Sequence, residues 1–246
     1  MVKPKTYGRM GNYLFQVAAT IGYAARHKIA FSVPHTTTNP EGNPIYLQHL
    51  VNLNWDSKKK EVLVEEHGHG YQEIPFDERW RTRNIILDGY WQSEQYFLEF
   101  RELVIKLFGY PWHVKWGTVS VHVRRGDYLQ LPQKHPPVTK EWYEECMDQF
   151  PNARFKFFSD DIPWCVKEFS TRADCVFSSN TTEEEDLVEM SCCEHQISSA
   201  STFSWWGAWL NQNPRKRVLI PQRWFTEREE LRNNTGDIVP AAWERV

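Results

Sequence analysis

No apolar run in the 246-residue sequence approaches the roughly 18 residues that a membrane-crossing helix needs. Stretches such as residues 84–87 are typical. No charged-then-apolar leader precedes Gly8, so the expected compartment is the cytoplasm. A dominant sign of charge is missing too. With 29 Lys and Arg against 32 Asp and Glu, the formal net charge is only -3. That excludes a strongly basic surface able to grip nucleic acid non-specifically. No Cys-x-x-Cys pair and no His-Glu-x-x-His run offers a metal site, so none is expected. The five cysteines are an odd number, with Cys192 and Cys193 adjacent, which suits a reduced protein better than a disulfide framework. Asp-x-Asp is also absent, which speaks against a sugar transferase that clamps its diphosphate through a metal on such a motif. The sequons at Asn180 and Asn233 mean little without a secretory signal.

What is present describes a folded chain. Hydrophobic residues make up 41% of it, and the length fits one large domain or two small ones. Aromatics are abundant, with 14 Phe, 12 Trp and 10 Tyr. Most such rings pack cores, although their faces also stack on sugars and bases. Leu14, Ala18, Ile21 and Ala25 recur at helical spacing and predict a helix over 11–27, followed by a short strand over 29–33. Residues 34–82 show weak periodicity. A buried strand is expected over 84–90 and a helix over 93–108, with Ser93 as its N-cap. Gly109-Tyr110-Pro111-Trp112 breaks that helix and marks the expected boundary between domains 1–110 and 111–246.

The second half alternates more clearly. Strands are expected over 118–123, 155–158, 175–177 and 218–220. Helices are expected over 139–150, entered through Pro136-Pro137, then after Asp160, from Thr182 to Cys192, and over 201–211. Thr182-x-x-Glu185 is a capping box. Alternation of this kind implies parallel sheets covered on both faces, an α/β fold of two Rossmann-like halves.

Several residue groups at predicted strand ends and helix starts carry chemical potential. His122-Val123-Arg124-Arg125-Gly126-Asp127-Tyr128 ends a strand, where open α/β sheets bind ligands. Two arginines followed by a glycine suit a diphosphate, because arginine donates in a planar fork and forms charge-assisted bonds. A structural Arg–Asp pair on a turn is the plainer alternative. Gly8-Arg9-Met10-Gly11-Asn12 opens the first helix and offers free backbone N–H groups to an anion, or is simply a turn. Ser159-Asp160-Asp161 ends another strand and either accepts hydrogen bonds from a ligand or caps a helix. Asp186, His195 and the hydroxyl-rich run from Ser198 into Ser204-Trp205-Trp206-Gly207 form the densest group, with core packing the ordinary role of the tryptophans.

Four motifs, in order, carry a family resemblance. Gly8 to Gln16 resembles the GRLGNQMFQ opening of the α-1,2-fucosyltransferases, glycosyltransferase family eleven. Gly89 to Phe97 is similar to that family's GYFQSEKYF, His122 to Tyr128 matches its HxRRGDY, and Ser201 to Leu210 its STFSWWGAWL. The resemblance implies a GT-B-like fold and an inverting galactoside 2-α-L-fucosyltransferase that takes L-fucose from GDP-fucose to a galactoside-containing glycan without a metal or other cofactor. It places Arg124 on the β-phosphate with His122 beside it, and Asp160, Asp161 and Asp186 near the nucleotide. Ser201 and Thr202 would lie near the phosphates, and Gly11 and Asn12 would line the cleft from the first, acceptor-side domain. The second domain would hold GDP-fucose. Asp127 is the first candidate for general base, with orientation of Arg124 or Arg125 as its other use, and His135 is a weaker candidate. Tyr13 replaces Gln of the motif, Trp91 replaces Phe, Ala200 stands in place of Asn, and no clear strand precedes Gly8. A fucosyltransferase of another linkage or with a protein acceptor, and a non-catalytic carbohydrate-binding protein, are the alternatives.

Overall fold

The computed structural model describes residues 1–33, 38–39, 41–44, 46–47, 50, 55–136 and 138–246. The chain divides into two units, Met1–Tyr110 with Asn233–Pro240, and Pro111–Arg232 with Ala241–Val246. Among the described residues, no helix is long and apolar enough to cross a membrane.

The first unit holds a three-stranded parallel sheet. Val2–Pro4 (β1) leads through a turn into Met10–His27 (α1), whose residues bury almost all round as far as Ala24. A helix apolar on nearly every face belongs in a core. It stops where Lys28 turns left-handed, and Arg26 and His27 place positive charge on its last turn, the favourable end of the helix dipole. Glu61–Glu65 (β2) and Asn84–Asp88 (β3) complete the sheet in the order β1-β3-β2. Three expectations are corrected here. A strand does precede Gly8, because Val2 and Pro4 are buried beside β3. The strand expected over 29–33 shrinks to one bridge between Phe31 and Val2. The helix expected over 93–108 is two short 3-10 turns before Arg101–Phe108 (α2). Ser93 does cap, but it caps Gln95 in the first of those turns, and Phe97 (φ -140) then interrupts the coil.

The second unit is a six-stranded parallel sheet. Its elements run Lys115–Val123 (β4), Lys140–Met147 (α3), Arg154–Ser159 (β5), Ile162–Phe169 (α4), Cys175–Phe177 (β6), Glu183–Cys192 (α5), Cys193–Ile197 (β7), Thr202–Leu210 (α6), Val218–Ile220 (β8), Glu227–Arg232 (α7) and Glu244–Arg245 (β9). Pro137, half of the expected entry to α3, lies outside the described residues; Thr139 caps that helix through Trp142 N–H. The capping box at Thr182 and Glu185 forms as expected. The strand β7 was not foreseen. Val119 to Val123 are buried on both faces, as a central parallel strand must be. One face packs Val119, Val121, Phe155, Phe157, Ile197 and Leu219 against Tyr143, Cys146 and Met147 of α3 and Cys165 and Phe169 of α4. Trp205, Trp206 and Trp209 of α6 are buried too, so core packing is a role they do play.

The strand order is β6-β5-β4-β7-β8-β9. Successive strands after β4 step to one side, and after β6 the chain returns to β4 and steps to the other. The direction reverses between β4 and β7, so the crevice beyond their carboxyl ends is the place where a doubly wound sheet takes its ligand.

Candidate functional site

The two strand ends at that reversal are His122-Val123-Arg124 and Ile197-Ser198-Ser199. They are joined across the switch point by a hydrogen bond of 2.7 Å between His122 Nδ1 and Ser199 Oγ. His122 is buried, and burial, with the Arg124 charge adding to it, pushes its imidazole down to about 3. It is therefore neutral at any working pH and fits a hydrogen-bonding role rather than that of a cation.

Register fixes what stands beside Arg124. His122 and Val123 lie opposite Phe158 and Ser159 of β5, so the residues that leave the two strands, Arg124-Arg125 and Asp160-Asp161, face each other. Arg124 Nη1 contacts Asp160 Oδ2 at 2.9 Å and Nη2 donates to Asp127 Oδ1 at 2.5 Å. Asp160 also accepts the Arg125 backbone N–H at 2.9 Å, while Arg125 Nε donates to Asp161 at 3.0 Å and its guanidinium lies 4.1 Å from the Trp164 ring centre. Asp161 caps α4 through Trp164 N–H. Gly126 leaves room for this carboxylate, because a Cβ on it would lie 2.5 Å from Asp160 Oδ2 and force it to shift. The Arg124 side chain is 14% exposed and that of Asp127 58%, so the cation is fixed on the protein side while Asp127 is the outward partner.

Tyr128 links this cluster to the start of α6. Its ring sits 5.3 Å from the Arg124 guanidinium, and its hydroxyl donates to the Ala200 carbonyl at 3.0 Å. That contact uses Ala200's backbone and asks nothing of its side chain. Ser201 is the N-cap residue of α6, yet no side chain caps the helix. Uncapped N–H groups at a helix start, with an arginine held nearby, make an anion-binding arrangement. Ser204 Oγ instead stiffens the turn by donating to the Ser199 carbonyl at 3.0 Å.

The sequence-derived residues thus fall into three groups. Arg124, Asp127 and Asp160 touch, with Asp161 one contact away; His122 reaches Ser199, two residues before Ser201 and three before Thr202. Asp186 stands at the same carboxyl edge but two strands away, beyond β6. There it accepts from Ser178 Oγ at 2.6 Å and Asn180 Nδ2 at 3.0 Å, and burial raises its carboxyl above the ordinary value. Gly11 and Asn12 belong to the first unit, in the opening turn of α1, where Asn12 Oδ1 accepts from Gln92 Nε2 at 2.9 Å. His135 stacks on Tyr128 at 3.8 Å with its Nδ1 buried and unpartnered, and burial pushes it down to about 4. That environment suits a ring that fixes Tyr128, not a base. Tyr128 and Ser199 were given no role from sequence, whereas Arg125 was expected there as the second arginine of the pair. Tyr128 sits inside the HxRRGDY-like motif and Ser199 inside the hydroxyl-rich run, so the signal was there without a geometry to rank it.

Comparison with known proteins bears on what this site serves. A family model described as glycosyl transferase family 11 matches residues 80–243. An alpha-1,2-colitosyltransferase of Escherichia coli is 36% identical over 181 residues, covering 64% of this chain and 61% of that protein. Galactoside alpha-(1,2)-fucosyltransferase 1 of Mus musculus is 27% identical over 249 residues, covering 82% of this chain and 61% of that protein. The chain thus spans about three fifths of the length of these relatives. Among solved structures, POFUT1 in complex with GDP-fucose shares the fold with a TM-score of 0.55 at 12% identity, over 89% of this chain and 97% of the other. The expected fold class, α/β and GT-B-like with a parallel sheet in each half, is the one found.

Proposed function

The chain belongs to glycosyl transferase family 11, and we propose that it transfers L-fucose from GDP-fucose to a hydroxyl of a glycan, with inversion at the fucose anomeric carbon and without a metal ion. The observation that carries this is the placing of Arg124 and the uncapped start of α6 at the reversal of strand order. A diphosphate needs fixed cationic and N–H donors, and both are present. The names of the relatives support a galactoside acceptor and attack through its 2-hydroxyl.

In the proposed reaction, the acceptor oxygen attacks the anomeric carbon while the bond from that carbon to the β-phosphate oxygen breaks. The electron pair leaves with GDP, and the acceptor proton passes to a base. Negative charge therefore grows on the β-phosphate, where Arg124 is already oriented by Asp160 and backed by Tyr128. A preorganised donor at such a point is worth about 3–4 kcal/mol of barrier. Ser201 and Thr202, with the first N–H groups of α6, would hold the same phosphates. Asp160 and Asp161 would act mainly by fixing the two arginines. Asp186, half-buried beside Ser178, is assigned to the nucleoside end. Asp127, the exposed partner of Arg124, is assigned as the base. Gly11 and Asn12 enter only through their motif.

A second reading is transfer of colitose, favoured by the name of the Escherichia coli relative. Mass spectrometry of full chain incubated with GDP-fucose, EDTA and a panel of β-galactosides tests the assignment. Gain of one deoxyhexose on a galactoside is expected. Absence of both product and GDP release would contradict it, and GDP-colitose in a parallel reaction separates the two sugars.

A further inference from the structure

In the second unit, residues 128–135 form a loop that closes on itself. The Leu131 N–H donates to the Tyr128 carbonyl at 3.1 Å, and the Lys134 and His135 N–H groups both donate to the Leu131 carbonyl at 2.9 Å. This closure lays the His135 ring flat on that of Tyr128, with centroids 3.8 Å apart and planes 9° from parallel. The His135 end is anchored on the segment between β8 and α7. There the Thr226 N–H donates to the Lys134 carbonyl at 3.0 Å and Thr226 Oγ1 to the Gln133 carbonyl at 2.8 Å, while the Phe225 ring stands 5.3 Å from that of His135. The Tyr128 end meets the site twice. Its ring lies against the Arg124 guanidinium, and its hydroxyl bonds the Ala200 carbonyl, one residue before the N-cap position of α6. Burial pushes that hydroxyl up to about 12, so it keeps its proton and keeps donating. Tyr128 thus joins the segment leaving β4, which bears the cation, to the segment leaving β7, which bears the uncapped N–H groups.

We propose that Tyr128 and His135 form a clasp that holds the two phosphate-binding elements in register, with His135 a positioning residue that acts on Arg124 through the Tyr128 ring. The proposal rests on the GDP-sugar reading of the site. What His135 supplies is a flat face. The residue is 9% exposed and its Nδ1 is buried without a hydrogen-bond partner, so that nitrogen contributes nothing a C–H would not. Burial, with the Lys134 and Arg124 charges adding to it and Asp127 opposing, keeps the ring neutral. Neutrality suits the clasp, because a second cation on Tyr128 would compete with Arg124 for the same ring. A ring laid face to face on Tyr128 leaves the phenol one plane, and that plane limits where the guanidinium can lie. Without His135 the arginine is still present, but its ordering is deferred to the binding step and subtracts from affinity.

The test is calorimetric titration of GDP into the full chain and into His135→Ala, His135→Phe, Tyr128→Ala and the double alanine variant, well below their melting temperatures. His135→Ala is expected to bind GDP about tenfold more weakly, a coupling of the size that residues in contact show, and His135→Phe to restore the native affinity. In the Tyr128→Ala background, removing His135 is expected to change affinity by less than about twofold, since its route to the site is already gone. This cycle does not depend on His135→Phe folding. Native affinity in folded His135→Ala, an undiminished loss in the Tyr128→Ala background, or a folded His135→Phe as weak as the alanine variant would overturn the clasp. NMR of the Arg124 side-chain Nε–H, assigned through Arg124→Lys, gives a readout without GDP: a sharp signal in the native chain, broadened in His135→Ala, is expected. That dependence in a chain that fails to bind GDP would uphold the clasp and defeat the donor assignment instead, whereas the same signal in both proteins would overturn the clasp.

Discussion

Arg124 is useful because it does not move freely. Asp160 and Tyr128 fix its plane, and Asp160 is itself fixed by the Arg125 N–H and by the missing Cβ of Gly126. The dependence runs through that glycine. Gly126→Ala drives a methyl into the Asp160 carboxylate, and overpacking of this kind costs about 1–3 kcal/mol. The expected outcome is a folded chain whose fucosyl-transfer kcat falls about tenfold or more while its far-ultraviolet circular dichroism is retained. Unchanged kcat would mean that Asp160 does not set the arginine. His122 and His135 illustrate the opposite point, that a histidine near a phosphate-type site is not thereby a base. Both are buried and pushed well below the ordinary imidazole value, so neither gains a proton near neutrality.

At the scale of elements, most of the second unit was legible because its strands are apolar and its helices announce their starts. Thr182 with Glu185 caps as its spacing predicts, α3 starts within one residue of the expected 139, and β6 and β8 occupy the expected residues. Strand β7 was illegible for a physical reason. Cys193-Glu194-His195-Gln196-Ile197 is too polar to read as a buried strand, yet it lies between β4 and β8 because its polar side chains find partners. Gln196 Nε2 donates to the Met190 carbonyl at 2.9 Å and His195 Nδ1 accepts the Arg217 N–H at 3.0 Å. Pairing on both sides overrode propensity. In the first unit, the ends of β2 and β3 carry a pH signal. Burial raises the Glu66 carboxyl to about 6 from an ordinary 4.5, even though two backbone N–H groups pull it down. A raised carboxyl contributes stability that is fully present below 4.5 and is lost as pH rises through about 6. Differential scanning calorimetry is expected to show the melting temperature of the native chain falling relative to Glu66→Gln across that window. Parallel curves from pH 4 to 7 would show that Glu66 is solvated.

The whole molecule holds a small three-stranded sheet in one unit and a larger doubly wound one in the other. The alternation of strand and helix after residue 115 requires a parallel sheet, but only the strand order reveals that His122-to-Asp127 and Ser198-to-Thr202 leave it at the same crevice. Sequence distance hid this, since 77 residues separate His122 from its partner Ser199. The central claim is that the second unit grips the diphosphate of a GDP-sugar through Arg124 without a metal. Calorimetric titration of GDP into the full chain in EDTA, beside Arg124→Ala shown to be folded, tests it most directly. Loss of a charged, hydrogen-bonded partner predicts about 10²-fold weaker binding in the variant. Equal GDP affinity in the two proteins, or no GDP binding by the native chain, would contradict it.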